Sequence, residues 1–205
     1  MSAVVVSRHR PANNPFASHR VEGLAFRFKG IGPEALRRRL DDLGGRAAIV
    51  GPEGSGKTTL LEELARTLPG QSVWVRLGAG CHRPWHTART QLPSPVSTKH
   101  TVLIDGAEQL GHLGWHRFLF ATRRAGRLVT TLHRSGRLPT LIECRPDHHL
   151  LRALVEELAP TEAPHLAPDL DDLFRRRNGN IRLCLRDLFD LFAGRSKPIF
   201  DPKSG

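Results

Sequence analysis

The run Ala47-Ala-Ile-Val-Gly51-Pro-Glu-Gly-Ser-Gly-Lys57-Thr58-Thr59-Leu60-Leu61 decides how the rest of the chain is read. Gly51 to Thr58 fits the pattern G-x-x-x-x-G-K-[ST] without a mismatch. A short apolar run, AAIVG, leads into it as a strand would. Leu60, Leu61, Leu64 and Leu68 then fall on one face of a helix that leads out. Gly51, Gly54 and Gly56 allow backbone angles that other residues resist, so successive N–H groups can turn inward around a phosphate. The N-terminus of the following helix adds partial positive charge there. The candidate phosphate contacts are Gly51, Pro52, Glu53, Gly54, Ser55, Gly56, Lys57, Thr58 and Thr59. Lys57 would set its ammonium on the outer phosphates, Thr58 would offer a hydroxyl to Mg²⁺, and Thr59 would reach the inner phosphate. A glycine-rich turn without a ligand is the bland alternative, and the strand and helix on either side speak against it.

A second run, Thr101-Val-Leu-Ile-Asp105, is a short strand that ends in an acid. In a parallel sheet such an acid sits at the carboxyl edge, where Asp105 could hold Mg²⁺ through water. In strand-acid motifs of this kind the next residue is commonly the carboxylate that activates water. Here it is Gly106, and the nearest candidate is Glu108. Glu108 could equally cap a helix or balance an arginine.

The chain has 205 residues, 39% of them hydrophobic, and carries a formal charge of +11. That length suits one substantial core with a small appendage. No apolar run approaches a membrane span, and MSAVVV is too short for a signal-peptide core. Cys81, Cys144 and Cys184 are odd in number and widely spaced, which favours free thiols and a cytoplasmic setting. The charge is uneven. Between Glu63 and Glu143 eleven basic residues face two acids, Asp105 and Glu108. Such a field attracts polyanions, nucleic acid or acidic proteins among them, although a general preference for arginine would also produce it.

Residues 1–22 read as a basic, irregular arm. LAFRF (24–28) alternates as a short strand would, and PEALRRRLDDLGG (33–45) opens on proline and closes on glycines as a helix does. SVWVRL, TVLID, LVTTLH and TLIEC continue the strand set, with a helix over 112–126. The expected fold is α/β, with three layers, a mainly parallel five-stranded sheet and helices on both faces. It occupies residues 23–147. The segment from Gly78 to His100 is rich in Pro, Gly and His and reads as a mobile loop. After Pro146 only helices are expected: 148–158, then a proline-bearing linker over 159–168, 169–177 and 181–194. They form a small unit over 148–194, followed by a fraying tail at 195–205. Cys81, His82 and His86 lack a second Cys/His pair at useful spacing, so a zinc site is not expected. Trp74 alternates within a strand and reads as core, and Arg175 to Arg177 end a helix where cations favour the dipole.

Together Gly51–Thr59, TVLIDGAEQL, LVTTLHR and NGNIR resemble P-loop ATPases of the additional-strand class, the broad group that holds AAA+ and STAND proteins. The resemblance covers about residues 16 to 193. It implies a three-layer P-loop NTPase with a C-terminal helical lid, binding ATP and Mg²⁺. On it LVTTLHR would make Thr131, His133 and Arg134 sensors of the γ-phosphate, and NGNIR would make Arg182 a second sensor that closes the lid. The chain departs from the family pattern at Gly106, in an extra residue before Arg134 and in lacking a winged helix after the lid. The function expected is a slow ATPase acting as a nucleotide-dependent switch or small motor component, with Glu108 and Lys57 in the reaction. Two alternatives stay open. One is a non-hydrolysing regulatory or nucleic-acid-associated module. The other is a P-loop kinase, for which Arg134 and Arg137 lie near the right place in a segment only a turn long. No asparagine precedes a lysine, which argues against a GTPase. The oligomeric state is not legible.

Overall fold

The computed structural model describes residues 13–28 and 31–194. In chain order the elements are α1 (Ser18–Glu22), α2 (Pro33–Asp42), β1 (Arg46–Val50), α3 (Lys57–Thr67), β2 (Gln71–Arg76), α4 (Pro84–Gln91) and β3 (His100–Asp105). They continue with a 3-10 turn (Ala107–Gln109), α5 (His112–Ala121), β4 (Arg127–Leu132), β5 (Thr140–Glu143), α6 (His148–Leu158), α7 (Ala163–Arg176) and α8 (Ile181–Phe192). They fall into two compact units. One comprises Ala25–Pro52 and Gly56–Cys144; the other joins the residues up to Leu24, the loop residues Glu53–Ser55 and the residues from Arg145 onward.

The first unit is an α/β fold around five strands in the order β2-β3-β4-β1-β5, all paired in parallel. The inner strands β1, β3 and β4 are almost continuously buried because helices cover both faces, the usual condition of a parallel sheet. On one face Trp115 and Phe118 of α5 and Ala88 of α4 pack over Ala48, Val102, Ile104 and Leu128. On the other, Leu36 and Leu40 of α2 and Leu60, Leu61 and Leu64 of α3 cover Ala47, Ile49, Leu103 and Val129. Each fully buried leucine contributes roughly 1.5–3 kcal/mol, and this is what holds the carboxyl ends of the strands in place.

Two expectations for this unit change. LAFRF is not a strand: residues 24–28 pair with no strand, and the alternation serves packing instead, with Phe26 and Phe28 set edge to face at 5.1 Å against the α2–α3 layer. The segment 78–100 is not wholly a loop, because it contains α4. Pro84 sits where a helix tolerates proline, and Ala88 with Leu92 supplies the buried contact that so short a periodic run barely advertises. Helix α5 is also shorter than expected, giving way to turns after Ala121.

The second unit is helical. Leu151 and Val155 of α6, Leu166, Leu170 and Leu173 of α7, and Leu185, Leu188 and Phe192 of α8 form its core. Asp147 and Asn180 cap α6 and α8, accepting from the N–H groups of Leu150 (2.8 Å) and Leu183 (3.1 Å). Helix α7 starts at Ala163, inside the expected linker. Pro164 falls in its first turn, and the buried leucines outweigh the hydrogen bond that Pro168 removes. Of the segment read as a basic arm, residues 13–22 belong to this unit. Phe16 lies edge-on to Phe192 at 5.2 Å, and fully buried Asn14 donates to the Phe189 carbonyl at 2.8 Å. Residues 1–12 and the tail at 195–205 lie outside the described residues. No helix among the described residues is long and apolar enough to cross a membrane.

Candidate functional site

The loop Gly51–Gly56 runs from the end of β1 into α3. Its conformation needs glycine at two points: Gly54 has φ +71° and Gly56, the N-cap of α3, has φ +84°. Lys57 is buried, and its Nζ donates to the carbonyls of Gly51 (2.8 Å) and Pro52 (2.7 Å), so the ammonium is folded back across the loop. Gly51 and Ser55 are buried, whereas Pro52 and Glu53 are exposed. The Ser55 hydroxyl is buried without a hydrogen-bond partner. In the helical unit, which includes Glu53–Ser55, a Cβ on Gly54 would collide with the side chain of Asn180 and come 3.3 Å from the Arg182 nitrogen. Gly54 is therefore required twice, by its backbone angle and by the N-cap of α8.

In the first turn of α3, the Thr58 hydroxyl donates to Asp105 Oδ2 at 3.0 Å. Asp105 ends β3, and its other oxygen accepts from the Thr131 hydroxyl on β4 at 2.6 Å. Thr131, buried, in turn accepts from the Gly106 N–H at 3.1 Å. Three elements thus meet in a small polar cluster at the carboxyl end of the sheet. Two of its members are a hydroxyl and a carboxylate, hard oxygen donors of the kind Mg²⁺ takes.

Gly106 itself has φ +81°, and a Cβ there would collide with the Leu77 carbonyl oxygen of the neighbouring chain segment. The missing carboxylate after Asp105 is therefore a steric consequence of how the chain leaves β3. The turn that follows instead presents Glu108. Its Oε1 lies 3.5 Å from His133 Nε2, while its Oε2 is buried without a hydrogen-bond partner. Arg137 stabilises this turn by donating to the carbonyls of Ala107 and Leu110, each at 2.6 Å. Burial holds the Arg137 guanidinium below its ordinary pKa, and the charge of Glu108 partly opposes that shift.

The sequence-derived candidates therefore separate into groups. Thr58, Asp105 and Thr131 come together, Lys57 closes on its own loop, and Glu108 meets His133. Thr59 is half-buried on α3 and makes no side-chain hydrogen bond among the described residues. Arg134 is exposed and meets no carboxylate among the described residues; Arg182, also exposed, belongs to the helical unit. The part played by Arg137 was not read from sequence, because main-chain carbonyls as partners leave no pattern in the residues. Cys144 is buried, and desolvation pushes its thiol up to about 11 against the opposing charge of Lys57, so it is no nucleophile at neutral pH. No cluster of metal-ligating side chains of the His, Cys, Asp and Glu type occurs among the described residues, and Cys81 Sγ contacts the Thr87 hydroxyl at 3.4 Å. Compared with protein-family models and with curated proteins, the chain matches none.

Proposed function

We propose that the chain binds Mg-ATP at Gly51–Thr59 and hydrolyses it slowly, as a nucleotide-dependent switch. The observation that carries this reading is the 3.0 Å hydrogen bond between Thr58 and Asp105, directly after a glycine-rich loop that ends on Lys57. A hydroxyl from the first turn of α3 and a strand-end carboxylate from a distant part of the chain meet beside the glycine-rich loop, a pairing that a metal on the phosphates would use. Bound ATP would supply the phosphoanhydride. The loop's N–H groups and the N-terminus of α3 favour the negative charge of the phosphates, and Lys57 can exchange its carbonyl partners for them. Thr131 holds Asp105 in orientation through its other oxygen.

Glu108 is the group that would accept a proton from attacking water. Its buried, unpartnered Oε2 is an acceptor without an occupant, and His133 steadies the other oxygen. Because this carboxylate stands two residues beyond the usual position, a slow step is expected, since positioning dominates phosphoryl transfer. Gly106 favours a second reading, in which the protein holds nucleotide and signals its presence without useful turnover. Single-turnover hydrolysis of [γ-³²P]ATP by the wild type and by Glu108→Gln separates the two. A loss of at least tenfold in the variant supports hydrolysis through Glu108, and equal rates remove Glu108 from the reaction.

A further inference from the structure

We infer that the groove between α4 and α5 binds single-stranded nucleic acid, by a surface separate from the polar cluster around Asp105. The groove has a volume of about 680 Å³ and an apolar lining that includes Trp85, Leu92 and Val96. Four arginines line it as well: Arg89 from α4, Arg117 from α5, and Arg123 and Arg124 from the turn after α5. No carboxylate lines it. None of the four forms an ion pair among the described residues; Arg89 reaches only Leu92 O and Ser94 Oγ at 3.5 Å, and Arg123 only Phe120 O at 2.9 Å.

Six arginines elsewhere are paired, although others, Arg134 among them, meet no carboxylate among the described residues. Arg66, Arg76, Arg127, Arg152, Arg175 and Arg177 each pair with an aspartate or glutamate. A general preference for arginine would scatter it without regard to acids. Here carboxylates accompany it in six places, and in this groove four arginines gather without one, so like charges repel one another at a small cost in stability unless an anion arrives.

The apolar part of the groove narrows the kind of anion. Phe120 is 67% exposed, unusual for so large an apolar side chain, and the Arg123 guanidinium lies 3.8 Å above its ring. This aromatic–guanidinium pair offers a flat surface on which an unpaired base can stack, with the remaining arginines placed for the flanking phosphates. A duplex keeps its bases out of reach of such a surface, and a run of acidic residues offers the arginines charge but no aromatic ring to stack on the pair. Single-stranded DNA or RNA satisfies both features together.

The test is fluorescence anisotropy of a labelled 20-nucleotide DNA strand of mixed sequence, titrated with the full chain at 50 and 200 mM salt. Binding is expected at 50 mM and about 20-fold weaker at 200 mM, as three phosphate contacts on a single strand require. Arg117→Glu with Arg124→Glu is expected to weaken binding at least tenfold, and Phe120→Ala at least fivefold, with thermal midpoints near that of the wild type. Phe120→Ala should leave binding of an abasic strand of equal length unchanged. Absence of binding at 50 mM, an unaffected charge-reversal variant, or equal binding of poly-glutamate of matched charge would each overturn the inference. The last outcome would mark the groove as a surface for acidic proteins.

Discussion

The polar cluster at the carboxyl end of β3 and the groove between α4 and α5 belong to the same unit but treat charge in opposite ways. Around Asp105 the polar groups satisfy one another: Thr58 and Thr131 donate to the two carboxylate oxygens, and the Gly106 N–H donates to Thr131. Around Phe120 four arginines meet no carboxylate among the described residues. A cluster that is internally satisfied contributes to stability whether or not a ligand arrives. A groove of unpaired like charges costs a little stability until an anion enters it. Substitutions in the first region should therefore change stability, and those in the second should change mainly binding.

The largest effect is expected at Gly106. Gly106→Glu would restore a carboxylate after Asp105, but at φ +81° and against the Leu77 carbonyl it should cost about 3 kcal/mol or more. Urea unfolding should show the loss, with no gain in ATP hydrolysis. A Gly106→Glu protein as stable as the wild type would mean the chain leaves β3 differently. Thr131→Val comes next. It leaves an oxygen of Asp105 and the Gly106 N–H without their partner, a loss of about 1–3 kcal/mol for buried groups, read in the same experiment. At the other end of the comparison, Arg117→Glu and Arg124→Glu should each shift stability by no more than about 0.5 kcal/mol, since both side chains are exposed and unpaired. A large loss in either would mean that the groove, too, is held together by its charges.

The thiols give the smallest effect. Burial raises both Cys144 and Cys184 to about 11, while the unfolded chain titrates them near the ordinary value of 9. The unfolded state thus loses protons first, and stability should fall as pH rises between about 9 and 11. At pH 8 an alkylating reagent should label half-exposed Cys81 and leave the two buried thiols intact until the protein unfolds. Mass spectrometry after timed exposure would show a single rapid addition, and rapid labelling of Cys144 would place it outside the packing around β5.

Legibility in the sequence followed the same division. The loop and its flanking elements could be read directly, because a spacing of glycines, lysine and threonine encodes a backbone shape as well as a chemistry. Asp105 could be read because it ends an apolar run; Thr131 stood out only through the resemblance, as a phosphate sensor, and its hydrogen bond to Asp105 left no pattern in the residues. Helix α4 could not, since eight residues with proline at the start and two buried positions give almost no periodicity. Phe26 and Phe28 misled because alternation is shared by strands and by extended segments that merely pack. The groove was invisible for another reason: its arginines come from α4, from α5 and from the turn after it, and only packing of the two helices brings them together. Sequence showed an excess of basic residues between Glu63 and Glu143; the fold shows which of them lack partners.

The central claim, that Gly51–Thr59 with Asp105 holds Mg-ATP, is tested most directly by isothermal calorimetry. ATP is titrated into the wild type and into Lys57→Ala, with and without Mg²⁺, after a thermal melt has shown that both proteins are folded. The expected result is saturable one-to-one binding by the wild type that weakens at least tenfold without Mg²⁺, together with little or no measurable heat for Lys57→Ala. Equal binding by the two folded proteins, or wild-type binding indifferent to Mg²⁺, would contradict it.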